Sequence, residues 1–159
     1  MSARHRPRTR RHAGESGVAL VEFALVLPLL LLIILGIFDF GRAINYWQDA
    51  QQMANEGARW AVVARLPSSG GGTLQNQIRQ QADTAEFLNG SSSVTGKAKV
   101  CISFPNGTSN VGDPVTVTVS GTYQWIPFLA LGATQTTFTS SATMRLERLP
   151  AGVYGAGCA

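Results

Sequence analysis

The chain has 159 residues, 45% of them apolar and only 14% charged, with a net charge of +4. That length allows one modest domain or a small domain with a membrane element, and a soluble domain would carry about a quarter charged residues. The excess charge is local: residues 1–17 hold Arg4, Arg6, Arg8, Arg10 and Arg11 against Glu15, and the rest balances eight basic with eight acidic residues. The body therefore offers no phosphate-binding stripe, and nucleic acid is not an expected partner. Both histidines, His5 and His12, lie in the same leader. A Ser-His-Asp triad, a His general base and a His-based zinc site are thereby removed from the body of the chain.

Residues 18–38 read VALVEFALVLPLLLLIILGIF, with Glu22 as their single charge. As a helix this run spans roughly 30 Å, the thickness of a bilayer's hydrocarbon core. The arginine-rich leader then stays cytoplasmic by the positive-inside rule, and the remainder faces the periplasm or exterior. A removable signal peptide is the competing reading. It would need small residues after the apolar run, where this chain has Gly36-Ile37-Phe38-Asp39-Phe40. Arg10-Arg11 is followed by His12-Ala13-Gly14, without the apolar residues of a twin-arginine signal. Glu22 has two readings: it snorkels to the headgroups, or it needs a cationic partner inside an assembly. Pro28 removes a backbone donor within the run, and a kink is expected there.

The helical pattern continues over residues 40–66 as a stalk, with Ala43, Trp47, Ala50, Ala54, Ala58 and Ala61 near one face. A continuous helix over residues 18–66 would be about 73 Å long. The alanine seam suits close approach by another helix, or packing on the chain's own outer domain. Asp39 and Arg42, three apart, are placed to pair. Pro67-Ser68-Ser69-Gly70-Gly71-Gly72 breaks the helix, and Thr73 is placed to cap a second one over residues 73–88.

Alternation then replaces helical spacing. Ala98, Val100, Ile102 and Phe104 share one strand face; Val115, Val117 and Val119 alternate with Thr116, Thr118 and Ser120; Phe138, Ser140, Ala142, Met144 and Leu146 form a third set. The expected fold is α+β: a long N-terminal transmembrane helix continuing into a periplasmic stalk, then a small antiparallel sheet with one covering helix. The expected organisation is a leader over 1–17, a transmembrane helix over 18–39, a stalk over 40–66 and a linker over 67–72. A small outer domain over 73–149 and a tail over 150–159 follow. The apolar run over residues 125–131 is either a short core-packing helix or a partner or membrane-surface contact. Cys101 and Cys158, the only cysteines, lie in the outward-facing part, where a disulfide is favoured over two free thiols. Its closed loop corresponds to about 4 kcal/mol in the chain-entropy model, a large share for so small a domain. With two cysteines and no histidine in the body, neither a metal nor another cofactor is expected.

Gly17-Val18-Ala19-Leu20-Val21-Glu22-Phe23 resembles the cleavage motif of pseudopilins of the tight-adherence (Tad) pilus system. In that motif a glycine ends a basic leader, and a glutamate and an aromatic residue stand fifth and sixth after it. Ala24-Leu25-Val26-Leu27-Pro28, Gly36-Ile37-Phe38-Asp39-Phe40-Gly41-Arg42 and Glu56-Gly57-Ala58-Arg59-Trp60 extend the resemblance to the TadE-like family over residues 14–64. Asp39 stands where the family often has glutamate, and Trp60 where it often has tyrosine. The length is closer to TadE than to the shorter Flp pilin or the longer TadG-type proteins.

The resemblance implies that a prepilin peptidase cuts between Gly17 and Val18 on the cytoplasmic side, and that the mature chain keeps its apolar helix. It implies a structural role in pilus assembly or initiation, with Glu22, Phe23 and Pro28 as assembly residues. Glu22 would pair with the new Val18 ammonium of a neighbouring subunit or of its own helix, because a buried charge is tolerated when paired and costly when alone. The implied partners are the membrane, the prepilin peptidase, other Tad pilins and pseudopilins, and the inner-membrane assembly platform. The implied location is the inner membrane, single-pass, with the C-terminal domain periplasmic, or extracellular in a pilus. A membrane-anchored periplasmic binding module that never enters a filament is the alternative. An enzyme is disfavoured by the missing histidines and the lack of a catalytic constellation.

Overall fold

The computed structural model describes residues 15–65, 72–126, 134–150 and 152–159. Most of the basic leader, residues 67–71 of the expected linker and residues 127–131 of the apolar run lie outside them. The chain divides into two compact units, residues 1–38 and 39–159.

Helix α1 (Glu15–Val62) contains Pro28 and is the one helix among the described residues long and apolar enough to cross a membrane. In residues 18–38 the large apolar side chains are exposed, from Leu35 at 38% to Leu25 at 76%, with Leu27 alone among them half-buried. This stretch has no core of its own, so its side chains need an apolar surrounding supplied from outside the chain.

The second unit is two-layered. Its sheet has the order β3-β2-β1-β4, antiparallel throughout, from β1 (Lys99–Ser103), β2 (Pro114–Gln124), β3 (Gln135–Arg145) and β4 (Gly157–Cys158). The α1 residues Tyr46, Ala50, Met53, Ala54, Ala58 and Ala61 form one core with Leu74, Ile78 and Phe87 of the short helices and Val100, Ile102, Val115, Val117 and Val119 of the sheet. The alternating valines face inward because the strand period is two. The opposite face is hydroxyl-rich, with Thr116 and Thr143 paired across strands at 2.7 Å.

Four features depart from expectation. The helix expected over 73–88 is two helices, α2 (Leu74–Arg79) and α3 (Ala85–Asn89). Thr73 caps α2 by accepting from the Asn76 N–H. Between the helices, the buried Asp49 carboxylate of α1 accepts from the Asp83 N–H at 3.2 Å, the Thr84 N–H at 3.4 Å and the Thr84 hydroxyl at 3.1 Å. These bonds satisfy donors at the start of α3 and hold the chain in a bend.

The second departure is the end of α1 at Val62 rather than residue 66. The Val62 carbonyl accepts from the Glu147 and Arg148 N–H groups, which satisfies a helix end from a distant segment. Third, the tail is part of the sheet. β4 pairs with β1, and Val100 and Ala159 exchange both backbone hydrogen bonds. Fourth, Asp39 does not pair with Arg42; the Arg42 guanidinium donates to the Ser93 hydroxyl at 2.8 Å.

Two glycines permit this packing. A Cβ on Gly57 of α1 would stand 2.8 Å from Ile78 of α2, and one on Gly121 would stand 2.6 Å from the Phe87 ring and 2.7 Å from Phe138. Phe138 lies opposite Gly121 across the strands and stacks on Phe87 with ring centroids 5.5 Å apart. The missing side chains are what let these elements approach.

Candidate assembly and membrane interface

The residues singled out by the sequence fall in both units. In the first, Gly17 lies near the start of α1 with open space where a Cβ would stand. Val18, Glu22, Phe23 and Pro28 are all exposed. Glu22 forms no ion pair among the described residues. Within residues 18–38 it is the single carboxylate on an otherwise apolar surface, an arrangement that a cationic partner or a headgroup region would stabilise.

In the second unit, Asp39 is enclosed, with 2% of its surface exposed. Its carboxylate accepts from the Tyr123 hydroxyl and, at 3.0 Å, from the Ile126 N–H. Tyr123 shares the inward face of β2 with the valines, and its ring packs on Tyr46 and, edge-on, on Trp125. Burial, and then the bond to Asp39, push the Tyr123 hydroxyl well above the usual tyrosine range. This node joins the first residues of the unit to the far end of β2.

Beside it lies an open groove of about 340 Å³ lined by Phe40, Ala43, Ile44, Trp47, Tyr123, Trp125, Thr136 and Phe138. The Trp125 indole N–H donates to the Thr136 hydroxyl at 2.8 Å, so both polar atoms are engaged and the remaining wall is apolar. Phe40 is 58% and Trp47 52% exposed. On another side of α1 a polar cleft is lined by Gln48, Gln51, Gln52, Asn55, Glu56, Arg59 and Gln81. Among the described residues no three His, Cys, Asp or Glu side chains gather as a metal site.

Cys101 and Cys158 are joined by a disulfide between directly opposed positions of β1 and β4, with Cα atoms 4.0 Å apart. The bond ties the tail to the sheet.

The alanine seam is resolved in favour of the chain's own core. Ala50, Ala54, Ala58 and Ala61 are buried against the outer region, while Trp47 on the same face is half-exposed. Sequence reasoning missed Asp49 and Tyr123. Nothing local marks Asp49. Tyr123 carried a readable signal, since it continues the inward parity of Val115, Val117 and Val119, and a buried tyrosine hydroxyl needs a partner.

Comparison with protein-family models matches residues 17–59 to the TadE-like protein family. No curated protein matches the chain, nor does any solved structure. The match begins at Gly17 and runs through Glu22, Pro28, Asp39 and Arg59, so it contains the exposed apolar stretch and most of the packed stalk. Over those residues the chain is similar to TadE-like proteins, the family that its sequence resembles.

Proposed function

We propose that this chain is a minor pilin or pseudopilin of a Tad-type pilus, structural rather than catalytic, and inserted once in the inner membrane with its outer region periplasmic. The observation that carries the reading is the family match over residues 17–59, which starts at the glycine where the leader would be cut. A prepilin peptidase cleaves after Gly17, Val18 becomes the mature N-terminus, and Glu22 pairs with a Val18 ammonium when subunits assemble. The largely exposed apolar residues of 18–38 support this, because a retained apolar helix is what such a subunit contributes to its neighbours. Its partners are then the peptidase, other Tad pilins and the assembly platform.

A second reading is a membrane-anchored periplasmic module that never enters a filament. It is favoured by the burial of Ala50, Ala54, Ala58 and Ala61 within the chain's own core, which leaves that seam no free surface for a neighbouring helix. One set of membrane preparations separates the two. N-terminal sequencing of the mature protein is expected to begin at Val18, and Gly17→Arg is expected to block cleavage. Glu22→Leu should insert more readily yet lose crosslinks to other pilins and lower the pilus count, because a Val18 ammonium is left unpaired. An uncut leader favours the anchor, and normal complexes and pili from Glu22→Leu at equal protein level refute the charge pair as what registers the subunits.

A further inference from the structure

The groove lined by Phe40, Ile44, Trp47, Tyr123, Trp125 and Phe138 has no part in processing or in the Glu22 pairing. Four of these six side chains bear large aromatic surfaces in or at the edge of solvent, and none is charged. Its position along the chain says what covers it. Phe40 follows the apolar run by two residues. Thirty ångströms of helix correspond to about 20 residues, so a hydrocarbon core counted from Val18 ends at about residue 38, and one counted from Glu22 at about residue 42. From the second boundary, Ile44 lies roughly 3 Å and Trp47 roughly 8 Å along the helix, within or at the edge of the headgroup layer. Aromatic side chains are enriched at that level because their rings tolerate both apolar and polar surroundings.

Two further observations favour lipid over a protein partner. A specific protein or ligand site carries a few polar groups that fix orientation. Here the indole N–H of Trp125 and the Thr136 hydroxyl bond to each other, and the Tyr123 hydroxyl is spent on Asp39. Asp39 itself, the one acid beside the end of the apolar run, is enclosed, so it presents no carboxylate to the groove's surroundings. We propose that this groove seats the outer region in the interfacial layer of the membrane, its aromatic walls receiving the glycerol and upper acyl segments of phospholipids. The proposal rests on residues 18–38 crossing a membrane and is independent of any role in a pilus.

The test uses the full chain in vesicles of phosphatidylethanolamine and phosphatidylglycerol, with or without lipids brominated near the headgroup end of the acyl chain. The chain has three tryptophans. Trp60→Phe with Trp125→Phe leaves Trp47 as reporter; Trp47→Phe with Trp125→Phe leaves Trp60, about 20 Å further along the helix. A third variant, Leu31→Trp with all three native tryptophans changed to Phe, reports on the span in vesicles whose lipids are brominated midway along the acyl chain, because residue 31 lies near the middle of the hydrocarbon core. Trp47 emission should fall roughly two-fold in brominated vesicles while Trp60 changes little. The unmodified chain should also be quenched, which gives a reading free of any substitution, and a non-reducing gel confirms the disulfide in every sample. A quenched Leu31→Trp reporter with an unquenched Trp47 overturns the groove proposal and leaves the span intact. Failure of the Leu31→Trp reporter removes the span and the proposal together. A Trp47 that ignores brominated lipid but responds to the protein-to-lipid ratio identifies a second copy of the chain as the occupant, and overturns the proposal as well.

Discussion

Helix α1 carries two stretches with opposite fates. In residues 18–38 most side chains are large and apolar, yet nearly all of these remain exposed; in residues 46–62 most core contacts are alanines, and Ala50, Ala58 and Ala61 are 0% exposed. Side-chain hydrophobicity alone would rank these stretches the other way. Burial instead follows the partner. Small residues let the sheet and α2 come close, whereas the leucine-rich stretch keeps most of its apolar surface exposed. The acids follow the same division. Asp39 and Asp49 are enclosed and engaged by hydroxyl and backbone donors, while Glu22 meets none among the described residues. A carboxylate satisfied within the chain is a structural device, and one left unsatisfied on an apolar helix is a demand on a partner.

Cys101→Ala with Cys158→Ala should have the largest effect, about 4 kcal/mol by the loop-entropy argument. Denaturant unfolding followed by tyrosine and tryptophan emission should show the loss in the outer region, while the apolar stretch keeps its helical circular dichroism. Equal loss from both regions would mean that they are not independent.

Asp39→Ala leaves the Tyr123 hydroxyl and the Ile126 N–H without an acceptor, a cost of about 3 kcal/mol at a buried site. Asp39→Asn keeps one oxygen and should recover part of it. Equilibrium unfolding of the two variants side by side decides whether the hydrogen bonds or the charge matters.

Ala58→Leu inserts three carbons where there is no room and should cost about 2 kcal/mol. Leu31→Ala, in the exposed stretch, should leave the outer region's unfolding midpoint unchanged. If Ala58→Leu is neutral, the alanine seam is not closely packed.

The smallest effect is alkaline. Burial pushes the Tyr154 hydroxyl, which donates to the Ala61 carbonyl at 2.6 Å, up to about 12, and Tyr123 is raised as well. Free tyrosine ionises near 10. Between pH of about 10 and 12 the unfolded chain therefore releases protons that the fold retains, and stability present below pH 10 is lost as pH rises. Ultraviolet titration should show these two tyrosines ionising late, with Tyr154→Phe removing one late step.

The long apolar helix, the alternating strands and the Thr73 cap were legible in the sequence, because each is written in local spacing. The sequence also carried the TadE-like resemblance in residues 17–59. Only the tertiary structure decided that Asp39 is held by Tyr123, 84 residues away, and that Asp49 bends the chain into two short helices. The same is true of the tail's place as a fourth strand and of the alanine seam's choice of its own core. Periodicity states which face of an element is apolar. It does not state which distant surface that face will meet, since that depends on loop closure and on close approach at positions such as Gly57 and Gly121.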